Sequence, residues 1–469
     1  MNAGADTRGS LCRLAALLAV SAALLFFDFG ARVFTTNDET RFPLMARDII
    51  RHGHWLLPEI DGTPMLNKPP LHAWLIAIAA WPTGLVSPRM AQLPSLLAAL
   101  GLVAVTYWIG ARLFGSVAGF GAGLIVVTTA GVFALARSPV PDMVFSLAVA
   151  LAVAAFVLAE FENRPRALLA FYVLIGVAFW VKGPAGFLAL GVAVAYELMA
   201  HGGSGLRRLS SPLGIGILAL LVASWAAMAG SAGGASFVDE VLTQDFVLAY
   251  FVSGPWGHGS ILHAIGQAIS ILLPWVILMP VALWSSVRTR DREDRREIFL
   301  VVAWLVAVFV LVALSHRQRW RYYLPLCPPA AMLVAGWLGR VRWRRRNDAF
   351  GAAWLVVAAA LVTGQVAVTA RQARSTDWGQ IAAEATKTRG SLFALGAPEI
   401  VFEFYLDTPV LVTRDYATFA RRSDATDLLI PARKLAELPQ PPALQPVADG
   451  RVAGQRFTLL RKAAESRRE

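Results

Sequence analysis

Two neighbouring acids and a downstream lysine stand out for the chemistry their spacing permits. Asp38 and Glu39 lie in FTTNDETRF, and Lys68 lies in NKPPLHAW. A carboxylate so placed can act as general base toward an acceptor hydroxyl or amine. Arg41 and Lys68 can hold a lipid phosphate, arginine through paired N–H bonds and lysine as a point charge. The stretch 34–68 also holds Arg47, Asp48, Arg51, His52, His54, Glu59 and Asp61. Taken alone, Asp38 reads equally well as the cap of the helix that follows it.

Three further places carry ionisable groups where apolar surroundings make them costly. Asp142 in SPVPDMVF and Lys182 in WVKGPAG lie in short connections between apolar runs. Charges at that depth point to function by default. The plainer alternatives are a helix cap for Asp142 and a snorkelling side chain for Lys182. The segment SHRQRWRYYLP supplies Arg319, Arg321, Tyr322 and Tyr323. It reads as a phosphate clamp with hydroxyl donors, or as an interfacial belt of aromatic and basic residues. His258 and His263 are the candidate ligands for a divalent metal. No H-x-x-x-H or C-x-x-C spacing supports them, so ordinary loop histidines are the alternative, and no cofactor is required by the sequence.

The elements that position these groups belong to a bilayer. Of 469 residues, 57% are apolar and 16% are charged. Soluble domains carry closer to 25% charge. Apolar stretches of membrane-spanning length recur from residue 11 to residue 370, and the chain is expected to be an all-α polytopic membrane protein with about 11–13 transmembrane helices. The net charge of +12 does not point to nucleic acid. Four alternate connections carry fourteen arginines: Arg164 and Arg166; Arg207 and Arg208; Arg288, Arg290, Arg292, Arg295 and Arg296; Arg340, Arg342, Arg344, Arg345 and Arg346. The intervening ones hold only Arg137, Lys182, Arg317, Arg319 and Arg321. Such a bias marks the cytoplasmic side. Loop 34–68, Asp142, Lys182, loop 231–260, segment 315–321 and the C-terminal tail are thereby expected on the opposite, extracytoplasmic side.

One parity problem arises. Three apolar stretches separate loop 34–68 from Asp142, yet an even number of crossings is needed. The stretch 71–86, short and opening with KPP, is expected to be re-entrant or interfacial. Residues 1–370 form the expected transmembrane domain, with 34–68 as the acidic loop and 231–260 as a lid whose SFVDEVLTQDFVLAYF is amphipathic. Residues 371–469 turn polar, with short β-like runs, and read as a small α/β extracytoplasmic domain. Cys12 and Cys327 lie in apolar segments and suggest neither a disulfide nor a thiolate site.

DETR at Asp38–Arg41, DGTPMLNKPP ending at Lys68-Pro-Pro, the PD at Pro141–Asp142, KGP at Lys182–Pro184 and R-x-YYLP near Arg321 together resemble the GT-C class of membrane glycosyltransferases. Among these the chain is most similar to the aminoarabinose transferases that modify lipid A and to the protein O-mannosyltransferases. The resemblance implies a polyprenyl-phosphate sugar donor and an inverting displacement onto a lipid A, protein or glycan acceptor. It implies Asp38 as the catalytic carboxylate with Glu39 beside it. Arg41 and Lys68 would hold the carrier phosphate, and Asp142 and Lys182 would line the same cavity. Family members often place an acid before the lysine of K-P-P, where this chain has Asn67, a poorer metal ligand. A transporter or flippase of polyprenyl-linked sugars is the alternative function. Against it, no internal repeat is visible and the charges crowd at one surface, whereas transporters bind near the midplane.

Overall fold

A computed structural model describes residues 3–237, 239, 241, 261–287, 292–315, 318–340, 346–385, 387, 391–422, 425–437 and 444–462. The lid expected at 231–260 lies mostly outside them, as does His258.

Helices dominate the first four fifths of the chain. In order they are α1 (Ala3–Phe26), α2 (Asn37–His52), α3 (Leu71–Ala80), α4 (Pro88–Phe114), α5 (Ser116–Val127), α6 (Ala130–Leu135) and α7 (Asp142–Glu160). There follow α8 (Ala167–Lys182), α9 (Leu188–His201), α10 (Pro212–Gly233), the single turn α11 (Ala235–Phe237), α12 (Ile261–Leu272) and α13 (Met279–Val287). The last of this part are α14 (Arg292–Ala313), α15 (Cys327–Arg340) and α16 (Arg346–Ser375). A small hairpin, β1 (Glu59–Ile60) with β2 (Thr63–Pro64), closes the loop after α2.

Seven helical runs among the described residues are long and apolar enough to cross a membrane, and α12 with α13, bent by 109°, makes an eighth. One of the seven is the 43-residue run Ala167–Leu209. It is two passages, because α8 ends at Lys182 beside the start of α7 while α9 returns to Glu160 at its far end. Among the described residues the shorter α5 and α15 pack into the same bundle, α5 against α4 and α15 against α5. The parity problem resolves as expected at α3. Ten residues rise only about 15 Å, half the hydrocarbon thickness, and α3 packs on α2 rather than crossing.

Charge sorts cleanly between the ends. At one end Glu160 accepts from Arg296 at 2.7 Å and from Arg208 at 2.8 Å, Glu162 accepts from Arg112 at 2.7 Å, and Glu197 meets His201 at 2.9 Å. This is the arginine-rich end. The bundle core is mostly apolar packing, and where α5 lies against α4 only glycine fits. A Cβ on Gly119 would lie 2.6 Å from the backbone oxygen of Tyr107, so α5 could not lie against α4 there with any larger residue.

The rest of the chain forms a small mixed sheet with helices: α17 (Gly379–Ala385), β3 (Ser391–Ala394), α18 (Glu399–Leu406), β4 (Val410–Val412), α19 (Tyr416–Arg421), β5 (Ala425–Pro431), α20 (Ala432–Leu435), β6 (Leu444–Val452) and β7 (Gln455–Lys462). Strand order is β4-β3-β5-β7-β6, with β3 parallel to both β4 and β5 and β7 antiparallel to β5 and β6. Buried alternation in β3, β5 and β7 fills two small cores, one on each face of the sheet. This α/β unit is seated at the end of the bundle opposite the arginine-rich one, because α18 lies along α2.

Candidate active site

The site end of the bundle is built from four helix breaks. Thr36, in extended conformation, starts α2 and puts Asp38 and Glu39 in its first turn, where the helix dipole favours negative charge. Pro141 starts α7 and places Asp142 in its first turn likewise. Gly183 at φ +63° ends α8 in a conformation that side chains resist, which leaves Lys182 at the break. A 3₁₀ turn over Trp320–Leu326 delivers Arg321 and Tyr322. Neither Asp38 nor Asp142 is the helix cap, so both carboxylates are free for other partners.

Those partners form one ionic chain. Lys182 Nζ donates to Asp142 Oδ1 at 2.5 Å, and Arg321 Nε lies 3.4 Å from Asp142 Oδ2. Arg321 Nη2 donates to Asp38 Oδ2 at 3.1 Å, Arg319 pairs with the same oxygen, and Arg41 reaches Asp38 Oδ1 at 3.5 Å. The Lys182 ammonium also lies over the Tyr322 ring, 4.1 Å from its centre. Four separate stretches of sequence, spanning residues 38 to 322, thus meet within a few ångströms. Four cations face two carboxylates, a surplus of two positive charges. Asp142 is 1% exposed, so this pairing satisfies a charge that is expensive to bury. Burial pulls the Asp38 carboxyl upward, but the guanidinium groups of Arg321 and Arg319 outweigh it and hold Asp38 below the usual carboxylate range.

Not every expected residue joins. Glu39 is 4% exposed and turned to its own loop. One oxygen takes Arg32, and the other accepts from the Thr35 amide and the Thr36 hydroxyl, each at 3.1 Å. That resembles a capping box, with the acid tying down the start of the helix. Tyr323 is wholly buried against Phe309, because a 3₁₀ turn of three residues sends its side chain to a different face from that of Tyr322. Lys68 lies in the bend just before the Pro70 cap of α3, and its neighbour Pro69 lies 4.0 Å from where a Cβ on Gly183 would be, so K-P-P abuts K-G-P. His263 is an exposed residue of α12 paired with Gln267. Among the described residues the two groups able to offer three metal ligands lie elsewhere: Asp48, His52 and His54; and Glu160, Glu197 and His201.

Several buried or cross-linking side chains near the site escaped the sequence reading. Arg137, counted as a loop residue, is buried and donates to the Phe133 and Leu24 carbonyls at 2.7 and 2.6 Å, tying α6 to the end of α1. His72 is buried with its Nε2 3.2 Å from the Pro139 carbonyl, one turn of chain from Asp142. The acidic loop also depends on the α/β domain. Arg47 donates to the Phe404 carbonyl at 2.6 Å and pairs with Asp407 at 2.9 Å; Arg51 pairs with Asp407 at 2.6 Å. Tyr405 Oη accepts from the Phe34 amide at 2.8 Å. Nothing local in the sequence signals these pairings across more than 350 residues.

The same interface holds a carboxyl pair. Burial, and then the Asp61 charge, push Glu403 from the ordinary 4.5 to about 8, and Asp61 is itself raised, by burial. The folded protein therefore holds this proton more tightly than the unfolded chain between about pH 4.5 and 8. Its contribution to stability is full below that window and is lost as pH rises through it. The thermal midpoint of the purified protein is expected to fall between pH 5 and pH 8 by more than that of the Glu403→Gln variant. Parallel pH profiles for the two would refute the raised Glu403 carboxyl.

Comparison with known proteins gives this geometry a context. Residues 67–227 match the family described as dolichyl-phosphate-mannose-protein mannosyltransferase. An undecaprenyl phosphate-alpha-4-amino-4-deoxy-L-arabinose arabinosyl transferase of Pectobacterium carotovorum is 27% identical over 368 residues, which is 74% of this chain and 65% of that protein. The protein of the same name from Serratia proteamaculans is 25% identical over 350 residues, 69% of this chain and 59% of its own length. The chain thus spans about three fifths of the length of such relatives. Among solved structures, ArnT from Cupriavidus metallidurans bound to undecaprenyl phosphate superposes with a TM-score of 0.77 at 19% identity, covering 96% of this chain and 98% of that one. The Archaeoglobus fulgidus oligosaccharyltransferase gives 0.57 at 12% identity, covering 89% and 68%. The fold is that of ArnT from Cupriavidus metallidurans and, more distantly, of the Archaeoglobus fulgidus oligosaccharyltransferase.

Proposed function

We propose that this chain transfers a sugar from a polyprenyl-phosphate donor to a lipid A, protein or glycan acceptor, on the periplasmic face of the inner membrane. The observation that carries the reading is the ionic chain Lys182–Asp142–Arg321–Asp38, with Arg319 and Arg41 at its open end. Its surplus of two positive charges matches the phosphate that a glycosyl phosphate donor brings and then releases. The relatives named for undecaprenyl phosphate-linked aminoarabinose make that donor the first to try. Orientation follows the arginine bias, which puts Glu160, Arg208 and Arg296 in the cytoplasm and the Asp38 cluster outside.

The geometry also supplies an order of events. Before donor binds, Asp38 spends its charge on Arg319, Arg321 and Arg41, which makes it a weak base. Donor phosphate competes for those guanidinium groups, which bind phosphate through paired N–H bonds. Asp38 is then relieved of its partners and becomes a better proton acceptor, beside the sugar rather than in advance of it. The acceptor oxygen attacks the anomeric carbon and gives its proton to Asp38; the carbon–oxygen bond to phosphate breaks on the opposite side. Arginine and lysine charges stabilise the departing polyprenyl phosphate. Asp142 takes no proton in this scheme; it fixes Lys182 and Arg321. Glu39 fixes the loop.

The test is incubation of the purified chain with undecaprenyl phosphate-linked aminoarabinose and, separately, other polyprenyl-phosphate sugars, with lipid A as acceptor. Labelled sugar appearing on the acceptor is the expected result. Movement of labelled donor across vesicles without any transfer would replace this reading with that of a flippase.

A further inference from the structure

Where α16 leaves the bundle, it meets the turn between β6 and β7 around an open cavity of about 600 Å³. Four arginines line it: Arg371 and Arg374 from the last turns of α16, Arg451 and Arg456 from the hairpin. Ala367 and Gly454 leave it roomy. No carboxylate lines it, and among the described residues none of the four arginines forms an ion pair.

Each half of this arrangement is unfavourable without an anion. Arg371 and Arg374 are three residues apart on one helix, hence neighbours on its surface. Arg451 and Arg456 are directly opposed in the β6–β7 ladder, where like charges repel. The two halves are also fixed to each other. The Gly454 amide donates to the Ser375 carbonyl at 2.9 Å, and Arg451 and Asp377 exchange backbone bonds at 2.6 and 2.8 Å. Side chains that repel within each element are thereby held together across elements. Topology gives no reason for them, because the arginines that set orientation belong to the other end of the bundle. Depth points to the ligand. The 30 residues of α16 rise roughly 45 Å, about 15 Å more than the hydrocarbon core, so its last turns emerge at headgroup level. Thr369 of this helix donates to Asp28 at the end of α1 at 2.6 Å, which joins the cavity to the end of the bundle that carries Asp38.

We infer that the four-arginine cavity holds the phosphate of an anionic lipid headgroup, and that this lipid is the acceptor side of the transfer. The second part rests on the proposed function; the first does not. Guanidinium groups converging from two elements suit a phosphate monoester, with its several acceptor oxygens, better than a carboxylate.

Native mass spectrometry of the full chain in neutral detergent separates the possibilities. The probes are phosphorylated lipid A, the same lipid after dephosphorylation, and inorganic phosphate. Wild type is expected to retain the phosphorylated lipid and not the dephosphorylated one. R371Q/R374Q and R451Q/R456Q, made separately, are each expected to weaken retention about tenfold or more, as loss of a charge-assisted bond to phosphate implies. Arg→Lys versions of both pairs keep the charge and should retain part of the affinity, which a misfolded protein would not. Equal retention of lipid by wild type and both Gln variants overturns the site. Equal retention of the dephosphorylated lipid overturns the phosphate, and displacement by low millimolar inorganic phosphate overturns the lipid. A failure of sugar transfer by wild type would sink the acceptor assignment and the proposed function, leaving this binding result standing.

Discussion

Replacing Asp38 by Asn is expected to cut sugar transfer by roughly 10²–10⁴-fold, the range supplied by a positioned general base. The donor is expected to bind as well as before, or tighter. The carboxylate occupies Arg319, Arg321 and Arg41 in the free protein, and donor phosphate must displace it. Asparagine has no charge to displace. A rate loss with no affinity loss is thus the signature of Asp38, measured by labelled-sugar transfer alongside donor binding. Transfer at the wild-type rate would remove Asp38 from the mechanism. The neighbouring acid gives a built-in contrast. Glu39→Gln breaks the contacts to Arg32, Thr35 and Thr36, so its effect should fall on folded yield and thermal midpoint before catalysis.

Arg321 carries the second large expectation, because it bridges both acids. Arg321→Ala leaves Asp142, 1% exposed, with Lys182 as its remaining cation. Breaking a buried pair from one side costs roughly 3–5 kcal/mol in other proteins, and Asp142 retains one partner, so the lower part of that range is the expectation. Donor affinity should fall as well, since the bidentate phosphate donor is gone. Adding Asp142→Asn removes the buried charge that then has one cation instead of two. The double variant should regain thermal stability while its transfer stays lost, a coupling that only contacting groups show. If the double variant is destabilised by the sum of its parts, the ionic chain is not an energetic unit.

Much of this was legible in the sequence because membranes simplify the problem. Length and hydropathy marked the helical bundle, and charge asymmetry paired the breaks at Asp38, Asp142, Lys182 and Arg321 on one side. That α3 is too short to cross followed from parity together with the brevity of its apolar stretch and the KPP that opens it. What stayed hidden is what depends on direction rather than depth. DETR and RYYLP each offer two adjacent residues of like chemistry, and in each case only one, Asp38 or Tyr322, faces the cluster. Helical phase at a break is set by backbone angles that composition does not encode. Long-range pairings such as Arg47 with Asp407, or Tyr405 with Phe34, were likewise invisible, since each residue is unremarkable where it stands. The four-arginine cavity escaped because its halves belong to different elements, about 80 residues apart in sequence.

The grip of α18 on α2 has a bearing on when the protein becomes competent during its own synthesis. Tyr405 reaches back 371 residues to Phe34. At roughly 5–20 residues per second, the acidic loop emerges some 20–70 s before the helix that clamps it is made. In that interval Arg47, Arg51 and Asn37 lack their partners Asp407 and Glu399. The contacts between α2 and α18 therefore close only once residues 399–407 have been made, well after the acidic loop itself.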